Sequence, residues 1–530
     1  MAVRVWEVGK SEGRAVMVRI RVLTLPDTKV CPRPTGLTSR ESSQNRYEEE
    51  KQMTAAGKPV TGASFEAIHW DVINWRAIEQ QVRRLQMRIA KATRERRWGK
   101  VKALQWLLTH AYSAKLLAVQ RVTRNTGRNT PGVDGQIWKT PTQKLKGVQS
   151  LQRRGYRPQP LRRIYIPKKN GKRRPLGIPV MADRAQQALH LLALEPVAEM
   201  LADPNAYGFR PGRSAADAIA QCFNILAQRN AARWIFEGDI KACFDQISHT
   251  WLREHVPMDK SVLGKWLTAG YMEDGKVYPT QAGTPQGGIA SPVLANMALD
   301  GLEWVAQRAA PRQKVYVVKY ADDFVISGSS KEVLEERVKP AVAAFLRERG
   351  LELSAEKTRI THIDEGFDFL GFNIRKYRGK LLIKPAKGAV KRMLRNIREL
   401  IKTNATAKTE NLIRQLNRKL RGWANYYRHV VSKKTFAYVD HQVFQALLIW
   451  INRRHPNKSA RWKQKRYFRR LGLRQWTFFS MFRNVKGEQG YLDLFSMAST
   501  PIVRHIKIRA NATPYDPTYR QYFERRARIR

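Results

Sequence analysis

The chain has 530 residues, with 98 Lys and Arg against 44 Asp and Glu, and a formal net charge of +54. A length of this order divides into about two to four domains, and a 43% hydrophobic fraction lets most of it fold. A positive surplus of this size repels itself unless a polyanion neutralises it, so nucleic acid is the expected partner and an acidic membrane the weaker one. The three cysteines, Cys31, Cys222 and Cys243, form no C-x-x-C pair. That excludes a zinc knuckle and a disulfide framework, and fits a reducing, intracellular setting. The most apolar run, residues 444–451, is far short of the roughly 20 residues a bilayer needs. The N-terminus lacks a signal-peptide core.

Residues 1–62 mix Gly, Pro, Ser and Thr with charge and are expected to be a poorly structured extension. From Trp70 a helical period begins, with Ile78, Val82, Leu85 and Ile89 on one face. A second helix is predicted over 101–119, followed by the Gly/Pro-rich loop RNTGRNTPGVDG. Residues 160–385 alternate strands (LRRIYIP, RWIFEGDI, KVYVVKY, FVISG) with helices (MADRAQQALHLLALEPVAEML and 341–349), the signature of an α/β domain. IYIPKKNGKRRPLGIP, 164–179, reads as a hairpin with five basic residues around an Asn-Gly turn. From Gly388 the helical period returns on Val390, Leu394, Ile397 and Ile401, then over 412–423 and 436–451. Trp423 and Tyr427 read as core residues of that helical region. The last fifty residues read as a small, loosely structured basic module.

Three stretches carry chemistry. In VVKYADDFVISG, 317–328, Asp322 and Asp323 sit in a tight strand–turn–strand. Two carboxylates held together repel, so one protonates or a cation neutralises both; Mg²⁺ is the usual cation, taking other ligands from water and phosphate. In EGDIKACFDQISH, 237–249, a strand runs into Asp239, and Phe244 follows five residues on. In AGTPQGGIASPVLANM, 282–297, Gly287 and Gly288 allow close approach to a ligand. Ser291 is predicted to cap a helix with Pro292 at its first position.

In this order, the basic hairpin with RPLGIP, the D-x-x-x-CFD strand end, TPQGG-x-x-SP, YADD, LSAEKT and FLGF resemble successive blocks of reverse transcriptases. RNTPGVDG, YGFRPGRSAADAI (207–219) and LNRKLRGWANYYRHVVSKKTFAYVD (416–440) resemble the reverse transcriptase–maturases encoded by bacterial group II introns. The resemblance covers residues 65–530. It implies an α/β right-hand polymerase fold: fingers and palm over 63–385 with a helical extension at 63–120, an all-α thumb/X domain over 386–475, and a basic DNA-binding region over 476–530. It implies an RNA-directed DNA polymerase and maturase that binds its intron RNA, assists splicing, and copies the inserted intron from a target-site primer during retrohoming. Asp239, Asp322 and Asp323 would be catalytic and hold two Mg²⁺, with the Ile240 carbonyl as an extra ligand. Lys168, Arg174, Phe244, Gln286 and Gly287 would bind the dNTP, Phe244 as the gate against a 2′-hydroxyl. Lys357 would protonate the leaving pyrophosphate. Tyr320 would lie against the primer end, RNTPGVDG with Arg128 would cover the template, and Arg421, Tyr426 and Arg428 would face RNA.

The partners implied are intron RNA, target DNA and dNTPs, with no membrane, in the bacterial cytoplasm near the nucleoid. The oligomeric state stays open, a dimer included. The C-x-x-C pairs of the HNH endonuclease that many relatives carry do not occur, so the expectation is a protein without that nuclease or a truncated gene. Two rivals remain: a splicing-only maturase with an inactive polymerase, and another prokaryotic reverse transcriptase (retron, diversity-generating or CRISPR-associated).

Overall fold

A computed structural model of the chain describes residues 69–529, apart from 168–170, 172, 285, 286 and 484–486. The N-terminal extension, Cys31, Lys168 and Gln286 therefore lie outside the described residues. No described helix is long and apolar enough to cross a membrane.

The N-terminal part is built around the helix Met181–Leu201, which is buried along almost its whole length. Apolar residues dominate it, and polar ones buried with them are paired: Asp183 accepts from the Tyr156 hydroxyl and Glu199 from the Arg210 guanidinium. Helices Trp75–Arg94, Trp98–His110 and Tyr112–Arg124 pack round it. The helix predicted over 101–119 is thus two helices, broken at Ala111 in an extended conformation. The cause is local: Thr109 donates to the carbonyls of Gln105 and Trp106, and the His110 ring bonds the Trp106 carbonyl, which ends the first helix. In front of this layer the basic hairpin pairs Leu161–Pro167 with Arg173–Ile178, and a second hairpin, Tyr271–Glu273 with Lys276–Tyr278, extends the sheet.

A second four-stranded sheet carries the carboxylates. Its order is Val317–Tyr320, Asp323–Gly328, Trp234–Asp239, Arg359–His362, all antiparallel. Alternating Ile235, Val318 and Val325 feed one core, while Phe236, Val317, Phe324 and Ile326 feed the other. Helix Ser291–Leu299 packs against the second core. Ser291 is the first helical residue rather than the cap; Ala290 takes the cap position, and the preceding Ile289 N–H donates to Gln187 Oε1.

The first core continues without a break into helices Lys387–Thr403, Thr409–Tyr427 and Lys433–Arg454. The helical region ends earlier than expected. Phe468–Leu471, Arg474–Arg483 and Gln489–Asp493 form a three-stranded sheet, tied by Arg469 to Asp493 at 2.6 Å.

The last residues are not loose. Asp440 accepts from the Ser496 hydroxyl and from the Met497 and Ala498 N–H groups. The chain then runs back across the carboxylate-sheet layer to the N-terminal helices. Ile508 N–H, His505 and Arg526 all bond the fully buried Asp217; Arg213 reaches the Ala510 carbonyl. Tyr515 donates to Glu195, and Asp516 pairs with Arg94. Composition hid this strap because its anchors are side chains hundreds of residues away.

Burial alone would raise the Asp217 carboxyl, but the bonds from His505, Ser214, Ile508 and Arg526 outweigh it and hold its pKa well below the ordinary range. A depressed carboxylate stabilises the fold above its unfolded pKa of about 3.9, and that contribution fades as pH falls below it. Asp217→Asn should therefore cost about 3 kcal/mol at pH 7. The gap between native and variant in urea-unfolding midpoint should narrow below pH about 4. A midpoint unchanged at pH 7 would contradict the strap's role as a latch.

Candidate active site

Antiparallel pairing sets Asp239 directly opposite Asp323, and the pairing of strand 317–320 with 323–328 sets Tyr320 opposite Asp323 across the tight turn. Ala321 makes that turn in the left-handed region, at φ 57°. Asp239, Asp322 and Asp323 are thereby brought together. Desolvation, then the neighbouring Asp322 and Asp239, push Asp323 up to about 6; Asp323 and Asp239 lie within hydrogen-bonding reach. Asp323 is exposed, yet the protein around the turn still desolvates its carboxylate. Asp322 is also raised, by desolvation ahead of the charge of Asp239.

Lys357 sits on the opposite lip. Its Nζ is 2.6 Å from Asp239 Oδ2, and that bond, the largest cause, raises its own pKa. The LSAEKT segment is held there by Ser354 N–H donating to the Asp239 carbonyl and Lys241 N–H to the Glu352 carbonyl. Both bonds flank Ile240 and leave its own carbonyl out of that pairing. Arg174 on the basic hairpin is near enough to lower Asp322 electrostatically.

The loops around the carboxylates are placed by backbone contacts that leave no room for side chains. A Cβ on Gly208 would lie 2.3 Å from the Ala321 nitrogen, so the YGFRPGR loop sits directly on the YADD turn. Tyr207 N–H donates to the Lys319 carbonyl, and Asn296 Nδ2 donates to the Gly208 carbonyl at 2.8 Å. Gly287 has φ 122°, and a Cβ there would meet the Gly177 carbonyl at 2.6 Å, so Gly287 sits directly on the RPLGIP strand. Thr284 N–H donates to the Phe244 carbonyl at 2.6 Å, fixing the backbone of the CFD turn. Phe244 is half-buried and meets the Phe209 ring edge-on, centroids 6.3 Å apart. Beneath the turn, Lys319 is 1% exposed and bonds Asp203 and Asp300 at 3.2 and 3.0 Å.

The remaining sequence-derived residues lie elsewhere. Arg128 is exposed on a short turn whose carbonyls, at Gly127 and Thr130, accept from the buried Arg184. Tyr426 is half-exposed, stacks on Phe372 and donates to the Leu370 carbonyl. Tyr427 is buried and donates to the Gly371 carbonyl, while Trp423 packs half-buried beside it. Arg421 is exposed with its guanidinium over Phe495, and Arg428 is half-buried, its carbonyl accepting from Val503 N–H. Phe209 and the Lys319 network were given no role from sequence. The only signal for Phe209 was its place in the YGFRPGR block.

Among the described residues no three His, Cys, Asp or Glu side chains form a ready metal-holding group. The carboxylates make an open set, with an ammonium bonded to one of them. That suits Mg²⁺, which takes few protein ligands and completes its shell with water and phosphate. Burial first, and then neighbouring carboxylates, raise the pKa of Asp322 and Asp323, and a bound cation would offset both effects. Asp239, Asp322 and Asp323 are the residues that would hold it.

Gly208→Ala forces the YADD turn and the loop apart. It should destabilise the protein by about 1–3 kcal/mol, the usual cost of overpacking. An unchanged melting temperature would show that the close approach does not constrain the turn.

Comparison with known proteins agrees with this layout. The family model described as reverse transcriptase (RNA-dependent DNA polymerase) matches residues 166–374, and that for the N-terminal domain of reverse transcriptase matches 70–151. The group II intron maturase-specific domain matches 390–468. Group II intron-encoded protein LtrA of Lactococcus lactis subsp. cremoris is 32% identical over 354 residues, 54% of this chain and 58% of that protein. The chain thus spans little more than half of that relative's length. Protein YkfC of Escherichia coli (strain K12) is 32% identical over 313 residues, 50% of this chain and 81% of that protein. Among solved structures, telomerase from Candida albicans with a fragment of telomeric RNA aligns over 56% of this chain and 58% of that one, at 13% identity and a TM-score of 0.35. That likeness is too loose to carry an argument. The polymerase model over the carboxylate sheet, the maturase model over the helices behind it, and a 32% identical relative covered over 81% of its length place the chain in the family of group II intron reverse transcriptase–maturases.

Proposed function

We propose that this chain is an RNA-directed DNA polymerase that also binds a group II intron RNA as its maturase and copies it at a DNA target. The observation that carries the reading is the register pairing Asp239 with Asp323 beside Asp322, at the meeting point of the basic hairpin, the TPQGG loop and the LSAEKT segment. The architecture is read as a right hand: hairpin and N-terminal helices as fingers, carboxylate sheet as palm, and residues 386–475 as thumb and X domain.

Two Mg²⁺ ions bound here would lower the pKa of the primer 3′-hydroxyl and neutralise the departing pyrophosphate. The protein's own part is positioning and charge. Asp239, Asp322 and Asp323 supply the negative charge that concentrates cations at the reacting phosphate. Arg174 on the hairpin, with Lys168, holds the triphosphate. Gly287 and Gln286 line the nucleotide's approach, and Phe244 closes the space a 2′-hydroxyl would need. Tyr320 lies against the primer end. Lys357 keeps its proton while bonded to Asp239, so it serves as an acid once a cation takes over that carboxylate. Arg128, Arg421, Tyr426 and Arg428 contribute to RNA binding, and residues 476–530 to DNA binding.

Primer extension on poly(rA) primed with oligo(dT) tests this reading. The native protein should synthesise DNA, and Asp322→Ala should abolish synthesis while RNA binding persists. Substantial synthesis by Asp322→Ala would overturn the metal assignment. No synthesis by either protein, with tight RNA binding retained, would leave a maturase that folds RNA without copying it. Phe244→Val should admit rNTPs, and unchanged sugar discrimination would remove Phe244 from the gate. With six to ten phosphate contacts, RNA affinity should fall roughly 10³- to 10⁵-fold between about 50 and 200 mM salt. A flat salt response would contradict phosphate-dominated binding.

A further inference from the structure

Phe209 is held in a conformation that the fold alone gives no reason to keep. Its backbone is left-handed, at φ 58°, which crowds any residue with a Cβ, and the residue is 52% exposed. Strain and an exposed aromatic both work against stability, and strained residues persist where the surroundings over-determine them. The surroundings here do so. Gly208 is pressed onto Ala321, and its carbonyl is held by Asn296. On the other side Arg210 is buried, bonded to Glu199 and to the carbonyls of Asp203 and Ala206. Further along the loop, a Cβ on Gly212 would meet the ring of Phe523, from the C-terminal strap, at 2.9 Å. The loop is thus clamped from the sheet, from the helix Met181–Leu201 and from the strap, and the product is one aromatic ring presented beside the carboxylates.

That ring meets Phe244 edge-on, at an interplanar angle of 80°. Phe244 is anchored through its carbonyl by Thr284, but an anchored backbone leaves χ1 and χ2 free. An edge-to-face neighbour at this spacing favours one orientation of the ring it meets.

We propose that Phe209 is a specificity-determining residue that forms the second wall of the sugar slot and holds the Phe244 ring in the orientation that excludes a 2′-hydroxyl. The inference rests on the reading of Phe244 as the gate. It explains why the loop tolerates a strained aromatic. A gate of one half-buried ring can swing, whereas two rings at right angles block each other.

The test is single-nucleotide incorporation with Mg²⁺, comparing kcat/KM for dATP and ATP opposite template uridine, in the native full-length protein and in Phe209→Ala, Phe209→Asn, Phe209→Tyr and Phe244→Val. Phe209→Ala and Phe209→Asn should each lower the dATP/ATP ratio by about tenfold or more. Phe209→Tyr, which keeps the ring, should hold the native ratio. Asparagine accepts the left-handed backbone, so Phe209→Asn should melt no lower than the native protein while still losing selectivity; a purely structural residue would not divide the two readouts this way. An unchanged ratio in Phe209→Ala and Phe209→Asn, or an equal loss with both nucleotides, would overturn the inference. If Phe244→Val relaxes selection and the Phe209 variants do not, only this inference fails. If Phe244→Val also leaves the ratio unchanged, or the native protein makes no DNA, the underlying reading fails and takes this inference with it.

Discussion

Two carboxylates face each other across an antiparallel ladder, Asp239 opposite Asp323, with Asp322 next in the chain. Like charges at this spacing repel, and no sheet adopts such a register for stability. The rest of the site follows from tolerating it. Lys357 is drawn onto Asp239 from the LSAEKT segment, and the hairpin brings Arg174 toward Asp322. Below the turn a second, buried arrangement holds the strand in place: Lys319 is enclosed with Asp203 and Asp300 on either side of its ammonium. A buried lysine is costly unless it is paired, and this one ties the YADD strand to the end of the helix Ser291–Leu299 and to the loop before YGFRPGR. The exposed carboxylates can therefore repel one another without the strand that carries them moving.

Rigidity is transmitted by close backbone contact. Gly208 on Ala321, Gly287 on Gly177 and Gly238 under the Phe324 ring are places where a methyl group would not fit. They let three loops from distant parts of the chain converge on one turn. The C-terminal strap adds a longer tie. It leaves the helices behind the sheet, bonds Asp217 and Arg213 beside the YGFRPGR loop, reaches the N-terminal helices through Tyr515 and Asp516, and returns to Asp217 through Arg526. The strap in this way joins the first described helices to the last described residues.

Much of this was legible in the sequence, and for stated reasons. The strand LRRIYIP and the helix MADRAQQALHLLALEPVAEML keep their predicted bounds, the strand through its β-branched and aromatic content and the helix through its long run of Ala, Leu, Gln and Met. The carboxylates were legible only through their company: an Asp pair in a turn proves little alone and gains meaning from the ordered blocks around it. Other features were silent. The break at Ala111 depends on Thr109 and His110 bonding backward, which periodicity does not record. The 468–493 sheet was masked by Arg and Gly in strands that lie half at the surface. The strap has no period of its own, since its order comes from buried partners far away in sequence. Phe209 sat in a recognised block, but its left-handed backbone and its contact with Phe244 exist only once the chain is folded.

The central claim is that cations gather where Asp239 meets Asp322 and Asp323. Replacing Mg²⁺ with Fe²⁺ and adding a reductant and peroxide generates hydroxyl radicals at the bound ion, which cut the backbone beside it. The account expects cuts near residue 239 and near residues 322–323, suppressed by excess Mg²⁺ and lost in Asp322→Ala. Cuts confined to other segments, or cleavage at these positions that Asp322→Ala leaves intact, would contradict it.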